Sequence, residues 1–458
     1  MYSKEEIKDK IFLGHVLEEL KKYPDNCLDM AVTSPPYFSC RYYGKEINTV
    51  WDSNDPDCEH EWKYYVKSNG IRQPLGILKG KRENVEFTKG HKTGYCMKCG
   101  AWYGQLGQEP TPTLYIKHLA DIFDELKRAL KSTGLFFLNI DDVYAGSHSG
   151  YGNKIPNPKS LQDISRGYSA SSVMKPPAAT CVGSEDWIKH KTLMLIPYRL
   201  AIEMQNRGWI LRASIIWRKR THLPMYSLDN FDCKAYENIF MFSKESYYFF
   251  NKDDARRPYS DNTYKRQKYK VTQFGTDGII KCTSADKDSA SKPAFIHPNP
   301  KGAPKTNIWS IKVANTKLKH FAAFAEELVQ ECILPGCAKE VCSECGKPKM
   351  VKYKMITRDF DELMIGEKEK YNKILKMPLD SEELRDKILG KLLRKKISLG
   401  FIPTCKCKVG FDNGIVFDPF MGSGTTAVTA RKLGYHYSGI EMQPKYHKMI
   451  MKRLKEML

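Results

Sequence analysis

Two hydrophobic periodicities divide the chain. Short, dense apolar runs that end on polar or turn-forming residues predict buried strands. They are KIFLGHV from Lys10, CLDMAVT from Cys27, LFFLNI from Leu135, WILRASIIWRK from Trp209, IVF from Ile415 and YHYSGI from Tyr435. Between them lie stretches with helical spacing. In TPTLYIKHLADIFDELKRALKSTG the residues Ile116, Leu119, Ile122, Phe123, Leu126 and Leu130 share one face, with Thr113 as the expected cap and Gly134 as the stop. VLEELKKYP, LIPYRLAIEMQNRG, HFAAFAEELVQECI and TTAVTARKLG predict further helices, the last closed by Gly434. YENIFMFSK followed by SYYFFN predicts an antiparallel hairpin. Strands alternating with helices imply an α/β class: a doubly wound, mostly parallel sheet with one antiparallel hairpin.

The periodicity lapses in four places. Residues 51–109 and 337–410 are polar and carry clustered cysteines, and read as insertions. Residues 146–189 and 251–304 are basic and aperiodic. Within the last insertion DSEELRDKILGKLLRKK predicts an amphipathic helix, with Asp380 and Glu383 as its capping box. One domain is therefore expected from 1–50, 110–145, 190–250 and 305–336 with 411–458.

The strand ends carry the candidate chemistry. CLDMAVT runs into TSPPY at 33–37, where two prolines stop any regular structure. Alone, such a stretch is a stiff loop terminator. The IVF strand breaks at Asp418-Pro419, and Gly422 and Gly424 make a turn free of side chains ahead of the TTAVTARKLG helix. The following strand ends on Glu441, about 20 positions beyond the glycines, where a carboxylate can accept hydrogen bonds from ribose hydroxyls. A phosphate-cradling NTPase loop is disfavoured, because its GxxxxGK[ST] lysine is missing. A nicotinamide site would want a third glycine where Ala427 stands, and alanine is tolerated there.

Charge and cysteine content narrow the partners. Net charge is +21 and the pI is about 9.2, which favours a polyanion through counterion release. No apolar run approaches the roughly 18–20 residues of a membrane span. The start, MYSKEEIKDK, lacks the apolar core of a secretory signal, which points to a cytoplasmic protein. Fourteen cysteines in that setting argue for thiols and metal sites rather than disulfides. Cys58, His60, Cys96 and Cys99 form one candidate zinc set. Cys342, Cys345, Cys405 and Cys407 form a second, for which Cys337 is a rival ligand. Four protein ligands leave no open position, so each zinc would be structural. Cys27, Cys181 and Cys332 read as core thiols.

TSPPY early, DPFMGSGTT late and HFAAFAEELVQ before it together resemble the S-adenosylmethionine-dependent amino-methyltransferases of DNA. Their order is that of the beta class, in which the catalytic tetrapeptide precedes the cofactor loop. RASIIWRKRTHLPMYSLDNFDCKAYENIFMFSK is similar to the stretch between that family's catalytic and recognition regions. The resemblance implies a Rossmann-like methyltransferase fold and a catalytic role for Ser34, Pro35, Pro36 and Tyr37. It implies cofactor contacts from Asp418, Phe420, Gly422, Gly424, Thr425, Thr426 and Glu441, and from His320 and Ala322. Two positions depart from the family pattern: Ala325, where proline is common, and His15, where aspartate is frequent. Double-stranded DNA becomes the expected partner, with 251–304 at the position of target recognition. A cognate restriction endonuclease and a prokaryotic or phage origin are also implied.

That chemistry explains the tip. An exocyclic amine is a poor nucleophile because its lone pair is delocalised into the base. Ser34 Oγ and the Pro35 carbonyl can accept the amine hydrogens, the prolines fix their direction, and Tyr37 offers a face for stacking a base flipped out of the duplex. Serine at the first tetrapeptide position favours cytosine N4, since adenine enzymes of the family more often carry aspartate or asparagine. Adenine N6 is the alternative. An RNA amino-methyltransferase and a catalytically silent zinc-bearing DNA-binding protein are further readings. No Pro-Cys pair occurs, which argues against cytosine C5 chemistry.

Overall fold

A computed structural model of the chain describes residues 1–39, 43–53, 55–68, 71–74, 91–145, 185–189, 191–220, 235–259, 301–313, 325–359, 368, 371–372, 374–376, 388–390 and 393–457. His320 and Ala322 lie outside them, as do Cys181 and most of the two basic stretches. The chain divides into two compact units, one of residues 1–337 with 415–458 and one of residues 338–414.

The first unit opens with α1 (Lys4–Ile7), β1 (Lys10–Leu13), α2 (Val16–Leu20) and β2 (Leu28–Thr33). A small sheet follows: β3 (Thr49–Trp51), β4 (Trp62–Ser68), β5 (Ile71–Pro74), β6 (His91–Cys96) and β7 (Trp102–Gly104). Next come α3 (Pro112–Ala129), β8 (Leu130–Ile140), α4 (Ile196–Asn206), β9 (Ile210–Lys219), β10 (Tyr236–Ser243), β11 (Ile308–Ile311) and α5 (Glu326–Gly336). The second unit holds β12 (Val341–Cys342), β13 (Met350–Thr357), β14 (Arg394–Ile402) and β15 (Phe411–Asp412). The chain then returns to the first unit with β16 (Ile415–Asp418), α6 (Thr425–Lys432), β17 (His436–Glu441) and α7 (Pro444–Lys455).

Among the described residues the main sheet has eight strands in the order β1-β17-β16-β2-β8-β10-β9-β11. Only β10 runs against the others, pairing antiparallel with β8 and with β9. Side chains alternate between two cores, as a sheet covered on both faces requires. Phe136, Leu138 and Ile140 of β8 face the core of α3 and α4, while Leu135 and Phe137 face that of α5 and α6. The α/β class and the mostly parallel sheet expected from the pattern are thus present.

Several local expectations change. Thr111, not Thr113, caps α3: its Oγ1 accepts from Leu114 N at 3.1 Å, with Pro112 in the first turn. The helix ends at Ala129, and Gly134 lies inside β8 because Leu130 already pairs with Leu28. The hairpin forms between β9 and β10, while residues 244–250 carry no strand. Arg394, Lys395 and Lys396, expected at a helix end, open β14, which pairs antiparallel with β13. Long-range pairing overrides helical propensity there.

Two features of the sheet position the site. β16 pairs in parallel with β2, matching Val416 with Met30 and Phe417 with Ala31. From β2 the chain crosses over to β8 on one side, and from β16 to β17 on the other. The gap at their carboxyl ends is therefore a topological switch point, where open α/β sheets take ligands. No helix among the described residues is long and apolar enough to cross a membrane.

Candidate active site

A cavity of about 670 Å³ opens at the switch point, within the roughly 300–1,000 Å³ of small-molecule sites. One wall is the tip after β2, with Ser34, Pro35, Pro36 and Tyr37. The other is the turn after β16, with Asp418, Phe420, Gly422, Thr425 and Thr426, together with Glu441 at the end of β17. Gly424 is the left-handed N-cap of α6, and a Cβ there would meet Ile450 Cγ2 at 2.8 Å.

Asp418 joins the two walls. Its Oδ1 accepts from Thr33 Oγ1 at 2.6 Å and from Phe420 N at 3.0 Å, and its Oδ2 accepts from Thr426 Oγ1 at 2.6 Å. Burial nevertheless raises its pKa to about 6, against the pull of those donors. Glu441 takes Gly422 N at 2.7 Å on Oε2 and Gln443 N at 2.8 Å on Oε1. Burial lifts it to about 7, with the Asp418 charge adding and the backbone donors opposing. Each Glu441 oxygen keeps a second lone pair for a ligand hydroxyl.

Tyr37 is held at its polar end as well. Its ring lines the cavity, but its hydroxyl turns inward and donates to Glu237 Oε2 at 2.7 Å, with Asn139 Oδ1 at 3.1 Å. Ser34 Oγ donates to Tyr37 Oη at 3.1 Å. Burial, then the charges of Glu237 and Asp141, push the phenol well above its ordinary pKa. Lys219 Nζ lies 2.7 Å from Glu237 Oε1. The visible signal for Glu237 is an acid inside the apolar run YENIFMF, a strand buried on both faces.

The tip is also braced from below. Tyr115 Oη donates to the Pro36 carbonyl at 2.7 Å, and Ser39 N donates to the Gly107 carbonyl at 2.6 Å. Glu109 accepts from Gly107 N at 2.8 Å and contacts His118 Nδ1 at 3.0 Å, while His118 Nε2 meets Asp52 Oδ2 at 3.1 Å. Burial opposes the His118 charge, but Asp52 and Glu109 outweigh it and raise the pKa. Trp51 and Trp102 stack on the imidazole, at 4.6 and 5.5 Å between ring centroids. The root of the first insertion thus packs into the first unit beneath the tip, which spacing alone could not show.

The family model described as an N6/N4 DNA methylase matches residues 28–340 and 391–452. The chain belongs to this family. Among curated DNA methylases, the type II methyltransferase M.SmaI of Serratia marcescens is 24% identical over 327 residues, covering 71% of this chain and 75% of that one. M.SfiI of Streptomyces fimbriatus is 23% identical, across 95% of this chain and 88% of that one. Of solved structures, the cytosine-N4-specific PvuII DNA methyltransferase aligns with a TM-score of 0.41 at 12% identity, covering 97% and 85% of the two chains. A DNA methylase of this family uses S-adenosylmethionine, and the cavity suits that cofactor. His15 Nε2 is buried without a hydrogen-bond partner in a residue that lines the cavity, and burial drops the imidazole to about 4, so it stays neutral. The two buried carboxylates that line the same cavity, Asp418 and Glu441, suit a cationic ligand.

Both cysteine sets assemble. The ligand atoms of Cys58, His60, Cys96 and Cys99 lie within 4.8 Å of one another, as do those of Cys342, Cys345, Cys405 and Cys407. Cys58 Sγ to Cys96 Sγ is 3.9 Å and Cys99 Sγ to His60 Nδ1 is 3.4 Å, near the edges of about 3.5–3.8 Å that tetrahedral zinc bond lengths imply. Cys337, the rival ligand, is buried in the apolar core of the first unit.

Proposed function

We propose that this DNA methylase transfers a methyl group from S-adenosylmethionine to the exocyclic N4 of a cytosine flipped out of duplex DNA. One observation carries this reading: Asp418 binds Thr33, so that SPPY and the glycine loop line one cavity. Bound there, the cofactor supplies an electrophilic sulfonium methyl. Glu441 would hold its ribose hydroxyls, and Asp418, Phe420, Gly422, Gly424, Thr425 and Thr426 would shape its pocket. Ser34 Oγ and the Pro35 carbonyl accept the target amine's hydrogens, drawing its lone pair out of the ring and toward the methyl. The Tyr37 ring gives the flipped base a stacking face.

The serine at 34 favours cytosine over adenine; adenine N6 is the second reading, since the same acceptors serve either amine. Methylation of defined duplexes followed by nucleoside mass spectrometry decides between them. N4-methylcytosine is expected, and N6-methyladenine alone would sink the cytosine reading. Ser34→Ala should nearly abolish turnover and leave cofactor affinity within a few-fold; an active variant would remove Ser34 from the mechanism.

The two ligand sets are further proposed to hold structural zinc. The type II designation of the relatives supports a restriction-modification role; a cytoplasmic setting and an endonuclease of matching specificity as partner are proposed with it.

A further inference from the structure

The hydroxyl of Ser34 has a direction, and the residues that impose it lie on neighbouring strands. We infer that Glu237, acting through Tyr37, fixes Ser34 as a hydrogen-bond acceptor toward the target amine. This rests on the amino-methyltransferase reading above and adds a positioning residue to it.

A carboxylate can only accept, and a phenol has one hydrogen to give. Tyr37 directs that hydrogen to Glu237 Oε2 at 2.7 Å. The Asn139 amide cannot reverse this. Its Nδ2 donates to the same Glu237 oxygen at 3.0 Å and to the Asn238 carbonyl at 3.2 Å, so its Oδ1 faces Tyr37 as another acceptor. Lys219 occupies the other Glu237 oxygen at 2.7 Å and holds the carboxylate in place. The Tyr37 oxygen can then only accept from Ser34, which spends its single hydrogen there at 3.1 Å. Both Ser34 lone pairs are left for the cavity. An exocyclic amine presents two N–H donors, so a serine of opposite polarity would meet it hydrogen to hydrogen. Glu237 and Asn139 are almost fully buried, which shields the chain of bonds from competing water.

The test compares Glu237→Gln, Tyr37→Phe and the double variant by single-turnover methyl transfer, with cofactor Kd and thermal unfolding measured on each. In Glu237→Gln the amide oxygen turns to Lys219 and its NH2 group to Tyr37 and Asn139; the Asn139 amide then turns over to accept from it, so that Tyr37 meets only donors there and its polarity reverses. The rate should fall roughly ten- to hundred-fold while cofactor Kd stays within about two-fold. Tyr37→Phe should cost a similar factor, and the double variant no more than the worse single one, because both break one chain of bonds. Glu237→Asp keeps an acceptor and should recover part of the rate. A fully active Glu237→Gln, losses that multiply in the double variant, or a change confined to KM would each overturn the inference. Nucleoside mass spectrometry on the wild type separates the two levels. If it yields no methylated base, the functional reading fails and this inference with it. If the wild type is active and the variants are uncoupled, only the inference fails.

Discussion

Thr33 Oγ1 and Asp418 Oδ1 lie 2.6 Å apart across 385 residues of sequence, both buried. This bond ties the last residue of the strand that aims the tip to the last residue of the strand that opens the glycine loop. The tip and the glycine loop are thereby tied to each other.

Thr33→Val keeps the shape and removes the donor. A buried bond to a charged group contributes about 1.5–3 kcal/mol, and much of that should be lost from stability. Cofactor affinity should weaken several-fold, because Asp418 then holds the loop with one donor fewer. Thermal melts and calorimetry check both effects; a variant that melts and binds like the wild type would show the bond to be idle.

Asp418 and Glu441 give the site a pH dependence. Their folded pKa values, about 6 and about 7, lie above the ordinary carboxylate range. The folded state therefore binds protons more tightly than the unfolded chain. The stability they contribute is full below about pH 4 and is lost as pH rises to about 7. Affinity for S-adenosylmethionine should run the other way. Both groups ionise across that window and attract its sulfonium charge, so Kd should tighten between about pH 5 and pH 7.5. Glu441→Gln should flatten the profile, and S-adenosylhomocysteine, which lacks the sulfonium charge, should show a weaker one. A profile equally steep for both ligands would contradict the electrostatic account.

Gly107 supports the tip through its backbone. Its φ is +86°, and an added Cβ would sit 2.9 Å from the Tyr37 carbonyl oxygen and 3.3 Å from that of Pro36. Neither is a flexible side-chain end. Gly107→Ala should cost about 1–2 kcal/mol for the left-handed conformation alone. The tip would shift to relieve the contact, so kcat should fall while cofactor affinity holds. Unchanged kcat would mean that the tip tolerates displacement.

Metal analysis of the purified protein should return two zinc ions per chain, one for each ligand set. Cys99→Ala and Cys345→Ala should each remove one. Chelation should lower the melting temperature, since a closed four-ligand site contributes folding free energy directly. Full metal content in either variant would reassign that set.

Much of this was legible in the chain because it is local. A period of two or 3.6 residues marks which face is buried, and proline and glycine restrict φ at their own positions wherever they sit. TSPPY, Asp418-Pro419, the Gly422–Gly424 turn and the terminal Glu441 could therefore be placed at strand ends, and paired cysteines foreshadowed their clusters. Hydrogen-bond partners and strand neighbours are not local. That Thr33 meets Asp418, that Tyr37 turns its hydroxyl to Glu237 instead of solvent, and that Asp52, His118 and Glu109 brace the tip from an apparent insertion follow from the pairing of β2 with β16 and from packing on α3. Only the folded sheet decides those distances, because the free energy that fixes them comes from burying both cores at once.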